Sequence, residues 1–112
     1  MTKKKAEMIN NLKIKMIHFA WDNYEFKTYE KLKEIRPFLK FSYRKLRVYV
    51  LTNFNTTMEQ NLERIYKLKE LGYDPYVMVY EKWKAPKEII RLQRWVNNKF
   101  VFRSCERFED YR

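Results

Sequence analysis

Residues 47–80 open with Arg47-Val48-Tyr49-Val50-Leu51-Thr52, turn through Asn53-Phe54-Asn55-Thr56-Thr57-Met58-Glu59, and end in Gly72 and Tyr76-Val77-Met78-Val79-Tyr80. Val48–Leu51 is an unbroken run of β-formers, the pattern of a parallel strand covered on both faces. Thr56-Thr57-Met58-Glu59 predicts a capping box with Thr56 as N-cap and Glu59 at N3. Met58, Leu62, Ile65, Leu68 and Leu71 then recur at helical spacing, and Gly72 is a favoured residue just past a helix end. Tyr76–Tyr80 is a second strand. Strand, helix and strand at this spacing predict a right-handed βαβ unit in a parallel sheet.

The same pattern extends in both directions. Upstream, Lys15–Ala20 is a short apolar strand. Phe26, Tyr29, Leu32, Ile35 and Phe38 make a helical face over Tyr24–Leu39, capped by Asp22 or Asn23 and stopped at Pro37. Lys3–Asn11 has weaker helical character, with Ala6, Met8, Ile9 and Leu12 as its apolar residues. Downstream, Pro86 sits where a helix starts, Ile89, Leu92, Trp95 and Val96 line it, and Asn97-Asn98 ends it. Lys99–Arg103 is read as a short fourth strand and residues 104–112 as a polar tail. The expectation is one α/β domain over residues 1–112, with three or four parallel strands alternating with helices.

Absences restrict the chemistry. The chain has one glycine, Gly72, so neither Gly-rich phosphate loop can form. Its one histidine, His18, and one cysteine, Cys105, cannot supply a structural zinc cage. A His18–Cys105 nucleophile–base pair has nothing in the sequence to bring its members together, and a histidine inside an apolar strand reads as a hydrogen-bonded core residue. A single cysteine fits a reducing compartment. Met1-Thr2-Lys3-Lys4-Lys5 lacks the apolar run of a signal peptide, and no stretch approaches the ~20 apolar residues of a membrane span. The chain is expected to be cytoplasmic, with no membrane partner.

Two sets of residues are candidates for binding. Lysine and arginine number 25 against 14 acidic residues, a formal +11, which favours phosphates or acidic surfaces. Lys40-Phe41-Ser42-Tyr43-Arg44-Lys45-Leu46-Arg47 interleaves aromatics with cations, so Lys40, Arg44, Lys45 and Arg47 are candidate nucleic-acid contacts; a solvated connector explains the same residues. Parallel α/β sheets take ligands beyond the carboxyl ends of their strands. Asp22 and Asn23, Asn53 and Asn55, and Glu81 and Lys82 occupy those loops here, where Asn and Asp also serve as turn residues.

Ile17-His18-Phe19-Ala20-Trp21-Asp22, Val48–Asn55, Leu71-Gly72-Tyr73-Asp74-Pro75-Tyr76-Val77-Met78 and Leu92-Gln93-Arg94-Trp95-Val96-Asn97-Asn98 together resemble the C-terminal half of bacterial and phage-associated radical S-adenosylmethionine proteins. The resemblance runs from about Lys13 to Tyr111. It implies half of a (β/α) barrel, with Asn53, Asn55 and Asp22 near S-adenosylmethionine or substrate. It assigns no role to Arg94, Trp95 or Asn97. The family's [4Fe–4S] cluster sits on a CxxxCxxC motif that this chain lacks, and Cys105 alone cannot hold it. Cofactor and cluster would therefore belong to a complete parent protein, with no catalytic residue on this chain. A half-barrel would expose Arg47–Thr52 or Lys15–Ala20 as a sheet edge, covered by a second copy in a homo-dimer or by a cluster-bearing N-terminal half. Three functions stand at this point: a barrel module contacting S-adenosylmethionine or substrate, a basic nucleic-acid-binding module, and a structural or assembly domain without a ligand.

Overall fold

A computed structural model describes residues 2–11 and 16–111. It contains helix α1 (Lys3–Asn10), strand β1 (Ile17–Trp21), helix α2 (Phe26–Ile35), strand β2 (Leu46–Thr52), helix α3 (Met58–Leu71), strand β3 (Asp74–Val79), and helices α4 (Lys87–Asn97) and α5 (Lys99–Ser104). Leu12 and Lys15, assigned above to the first helix and first strand, lie outside the described residues.

The three strands are all parallel, in the order β1-β2-β3. Right-handed crossovers that always step the same way place every helix on the same face. The strand residues that enter the apolar core accordingly come from that face alone: Ile17, Phe19 and Trp21, then Leu46, Val48 and Val50, then Val77 and Val79. One part of the core joins β1 and β2 to Ala6, Leu32, Ile35 and Leu68; the other joins β3 to Ile65, Leu92, Trp95, Val96, Phe102 and Phe108. The expectation of strands covered on both faces fails here. Along β2, buried residues alternate with partly exposed ones, so a continuous apolar run conceals a one-sided strand. Tyr49 and Leu51 are apolar enough to complete the run, yet they stand on the uncovered face.

Several local assignments shift. The capping box is present one residue later: the Thr57 hydroxyl accepts from Gln60 N–H, and the Gln60 side chain accepts from Thr57 N–H. Thr56 bonds Asn61 instead. Gly72 ends α3 in the left-handed region at φ 88°, as its position predicted. Asp22 and Asn23 do not cap α2, which begins after Glu25 without a side-chain cap. Lys99–Arg103 is helical rather than a fourth strand, because the Asn98 side chain caps α5 by accepting from Val101 N–H. The polar tail expected over residues 104–112 is not free where it is described, up to Tyr111: Phe108 is buried, and its N–H donates to the Tyr66 hydroxyl at 2.9 Å.

The sheet edges also differ from expectation. β2 is the central strand, so Arg47–Thr52 is not an edge; β1 and β3 flank it. On β3, the Asn97 side chain accepts from Val77 N–H at 2.8 Å and donates to Val77 C=O at 3.1 Å, as a neighbouring strand's peptide group would. Gln93 donates to the same carbonyl, and Lys99 donates to the carbonyl of Pro75, which has no N–H of its own. Helix α4 and the start of α5 thus seal this edge from within the chain.

Candidate nucleic-acid interface

The carboxyl ends of the strands carry Asp22, Asn53 and Asn55. Asn53 adopts φ 62°, a left-handed conformation that asparagine tolerates, and its Nδ2 donates to the Tyr80 carbonyl at 3.0 Å. Asn55 Nδ2 donates to Asn23 Oδ1 at 2.8 Å, tying the loop after β2 to the loop after β1. Asp22 is exposed. Between these loops lies Arg64 of α3, fully buried. Its guanidinium donates to the carbonyls of Trp21 at 2.6 Å and Leu51 at 2.8 Å, and to the side-chain oxygens of Asn61 and Thr56, leaving only Nε without a partner. Burial lowers its pKa to about 10, opposed by the nearby charge of Asp22, so it stays a cation at neutral pH. The crevice where parallel sheets commonly take a ligand is here occupied by the chain's own cation.

The uncovered face is different. The parallel register sets Ala20, Tyr49 and Tyr76 side by side, with His18, Arg47 and Asp74 as the row before them. The rings of His18 and Tyr49 meet edge to face at 5.2 Å, and those of Tyr49 and Tyr76 at 5.7 Å. The Tyr49 hydroxyl lies 3.3 Å from His18 Nδ1. His18 is therefore an exposed member of an aromatic row and not a core residue, while Cys105 packs with the second core cluster beside Trp95. Arg47 stands 4.6 Å over the Tyr76 ring. Toward the carboxyl end the face continues through Met78, and exposed Tyr80 meets Phe54 at 4.8 Å.

At the amino end of this face, the turn Tyr43–Lys45 and helix α5 enclose a concavity of about 530 Å³, lined by Tyr43, Arg44, Arg47, Asp74, Lys99, Phe100, Arg103 and Ser104. Asp74 is buried and lies 2.7 Å from Lys99 and 3.5 Å from Arg47. Burial lowers the pKa of Lys99, while Asp74 acts to raise it. Of the cations assigned from sequence, Arg44 and Arg47 line the concavity. Lys45 faces the Phe41 ring, and Lys40 is exposed, with its backbone N–H bonded to the Asn10 side chain. The sequence hides Lys99 and Arg103 as partners of Arg44 and Arg47, because the apolar run Phe100-Val101-Phe102 between them reads as a strand and the chain is helical there. The aromatic row leaves a partial signal in the sequence: Arg47, Tyr49 and Leu51 alternate with Val48 and Val50, and Asp74, Tyr76 and Met78 alternate along β3, with Tyr80 just beyond its end.

Trp95 is fully buried among Tyr66, Phe102 and Phe108, and its indole N–H donates to the Cys105 carbonyl, a packing role. Among the described residues, no group of histidine, cysteine and carboxylate side chains is placed to hold a metal ion, and no helix is long and apolar enough to cross a membrane. No family model, curated protein or solved structure matches this chain.

Proposed function

We propose that this chain is a binding module for single-stranded nucleic acid that uses its uncovered sheet face. The observation that carries the reading is the row His18, Tyr49 and Tyr76 on that face, with Arg47 over its last ring. Bases stack on such rings with about 1–3 kcal/mol each, whatever their identity, and cations beside them neutralise the phosphates. A sheet with this many rings accommodates about two or three bases. The formal charge of +11 supplies attraction at long range.

Fluorescence anisotropy with short labelled oligonucleotides tests this. Affinity should fall steeply as salt rises, and Tyr49→Ala with Tyr76→Ala should weaken binding about tenfold or more at fixed salt. Binding that depends on salt but ignores both tyrosines would reduce the interaction to charge alone and overturn the proposal.

One observation favours the barrel reading as a second. Sequential parallel order with all helices on one face is the winding of a (β/α) barrel segment, in which the uncovered face would line the interior. The module would then contribute to an S-adenosylmethionine site, with the [4Fe–4S] cluster on a partner that completes the sheet along β1 or on a parent protein. A second copy covering the β1 edge would make a dimer instead. The plugged edge of β3 and the Arg64-filled crevice weigh for nucleic acid instead. Titration with S-adenosylmethionine separates the two readings, and sedimentation reports whether β1 pairs.

A further inference from the structure

The concavity at the amino end of the uncovered face holds more positive charge than its neighbours neutralise. Arg44, Arg47, Lys99 and Arg103 meet there against the single carboxylate of Asp74. Asp74 already contacts both Arg47 and Lys99, which leaves Arg44 and Arg103 without an acid among the lining residues. Arg103 is the informative one. Its guanidinium stacks on the Tyr43 ring at 3.7 Å, which fixes the plane of the fork. Its Nε and Nη2 are shielded from solvent and have no hydrogen-bond partner, although a buried donor without an acceptor is costly. A donor pair held in one plane and unpartnered is half of a bidentate contact to an oxyanion, which reaches it once the side chains that shield it shift aside. Arg44 sits beside it, with Nε 3.4 Å from the Tyr43 hydroxyl, and Ser104 adds a hydroxyl to the lining. Phe100, exposed over 82% of its surface, offers a ring at the rim.

We infer that this cleft is a site for the terminal phosphate monoester of a bound strand, which deepens and rests on the single-strand reading above. A monoester suits it better than an internal diester. The dianion carries about twice the charge of a diester at neutral pH and offers a further oxygen to accept hydrogen bonds. The site also lies where the sheet face ends against the Tyr43–Lys45 turn and α5, so a strand lying on the ring row meets it with an end.

The test compares one labelled oligonucleotide of about eight nucleotides, within the usual site size of single-strand modules, carrying a 5′-phosphate, a 3′-phosphate or neither. One phosphorylated form should bind about tenfold more tightly than the unphosphorylated one, the scale of a charge-assisted bond. Arg103→Gln should bring it down to the affinity of the unphosphorylated form. Arg44→Gln, at an exposed position whose contacts are to Tyr43 alone among the described residues, should do part of the same. Inorganic phosphate alone, followed by the NMR signal of the Arg103 Nε–H, should shift that signal in the wild type. If oligonucleotides bind but neither end phosphate matters, the cleft inference falls and the ring-row reading stands. If phosphate shifts Arg103 but no oligonucleotide binds, the cleft stands as an anion site and the single-strand reading falls. If neither occurs, both are wrong.

Discussion

Arg64 and Arg103 place guanidinium groups at opposite ends of the same sheet. At the carboxyl ends of β1 and β2, Arg64 is surrounded by acceptors from its own chain, two backbone carbonyls and two side-chain oxygens. At the amino end of β3, Arg103 is held in place by a ring and has two shielded nitrogens without acceptors. A desolvated cation whose terminal nitrogens are both bonded within the chain acts as a structural tie, with only Nε of Arg64 unpartnered, whereas Arg103 has two donors to spare, the feature on which the proposed anion site rests. The general expectation for parallel sheets puts the ligand at the carboxyl end. Here a long side chain from α3 has taken that crevice, and the proposed site lies at the other end.

Arg64→Leu is the strongest way to break this comparison. Removing the guanidinium takes a charged donor from the carbonyls of Trp21 and Leu51 and from the Thr56 hydroxyl, and leaves Asn61 Oδ1 with the Thr56 hydroxyl alone, so stability should fall by about 3–5 kcal/mol in urea unfolding. Arg103→Gln should change stability by less than about 1 kcal/mol, since it loses only ring stacking and opens no core cavity. Equal losses from both substitutions would show that the two ends do not differ in kind.

The next largest effect tests the sealed edge. Asn97→Ala strips Val77 N–H of its acceptor and its carbonyl of one of two donors, at a fully buried residue. A loss of about 2 kcal/mol is expected. The freed edge is also a template for another strand, so the variant should self-associate in sedimentation where the wild type does not pair through β3. Association of the wild type through β3 would mean that the plug is displaced in solution.

How far the sequence discloses this structure depends on range. The α3 cap, the Gly72 stop and the three-strand α/β class are written in local residue types and spacing, and they emerged with errors of a residue or two. The fourth strand failed because Phe100, Val101 and Phe102 are apolar in both states, while the deciding cap at Asn98 is a single residue. The uncovered face stayed hidden because tyrosine and leucine suit either side of a sheet. Only the register, set by pairing across strands, shows that Tyr49 and Tyr76 share a row. The sealing of β3 by Asn97 joins residues 20 positions apart, and no local pattern announces it.

Asn53 and Asn55 sharpen the comparison from the other side. Alanine at Asn53 meets a left-handed backbone and loses the bond to Tyr80, so the double change to Ala should lower stability by about 1–2 kcal/mol. Asn53→Gly should recover the conformational share, because glycine adopts that backbone freely. Oligonucleotide affinity should not move. Weaker ligand binding at unchanged stability would instead return the site to the carboxyl end, as the S-adenosylmethionine reading requires.

The smallest effect concerns pH. Tyr73, just before β3, is buried and donates its hydroxyl to the Leu32 carbonyl at 2.6 Å. Burial pushes its pKa above the ordinary value of 10.0, and the Arg36 guanidinium near its ring acts in the opposite direction. An acid whose folded pKa is raised holds its proton more tightly in the folded state. Its contribution is therefore complete below pH 10.0, the ordinary value, and is lost as pH climbs toward the folded value. Tyr73→Phe removes one buried hydrogen bond and should cost about 1 kcal/mol at neutral pH. Above the ordinary tyrosine value the wild type loses stability through ionisation of its unfolded chain, a loss that the phenylalanine variant lacks at this position. The gap between them should narrow, and with enough alkali reverse. Parallel unfolding curves for the two proteins from neutral to alkaline pH would place the Tyr73 hydroxyl in water, and the contact between α2 and the start of β3 would then be looser than its 2.6 Å bond implies.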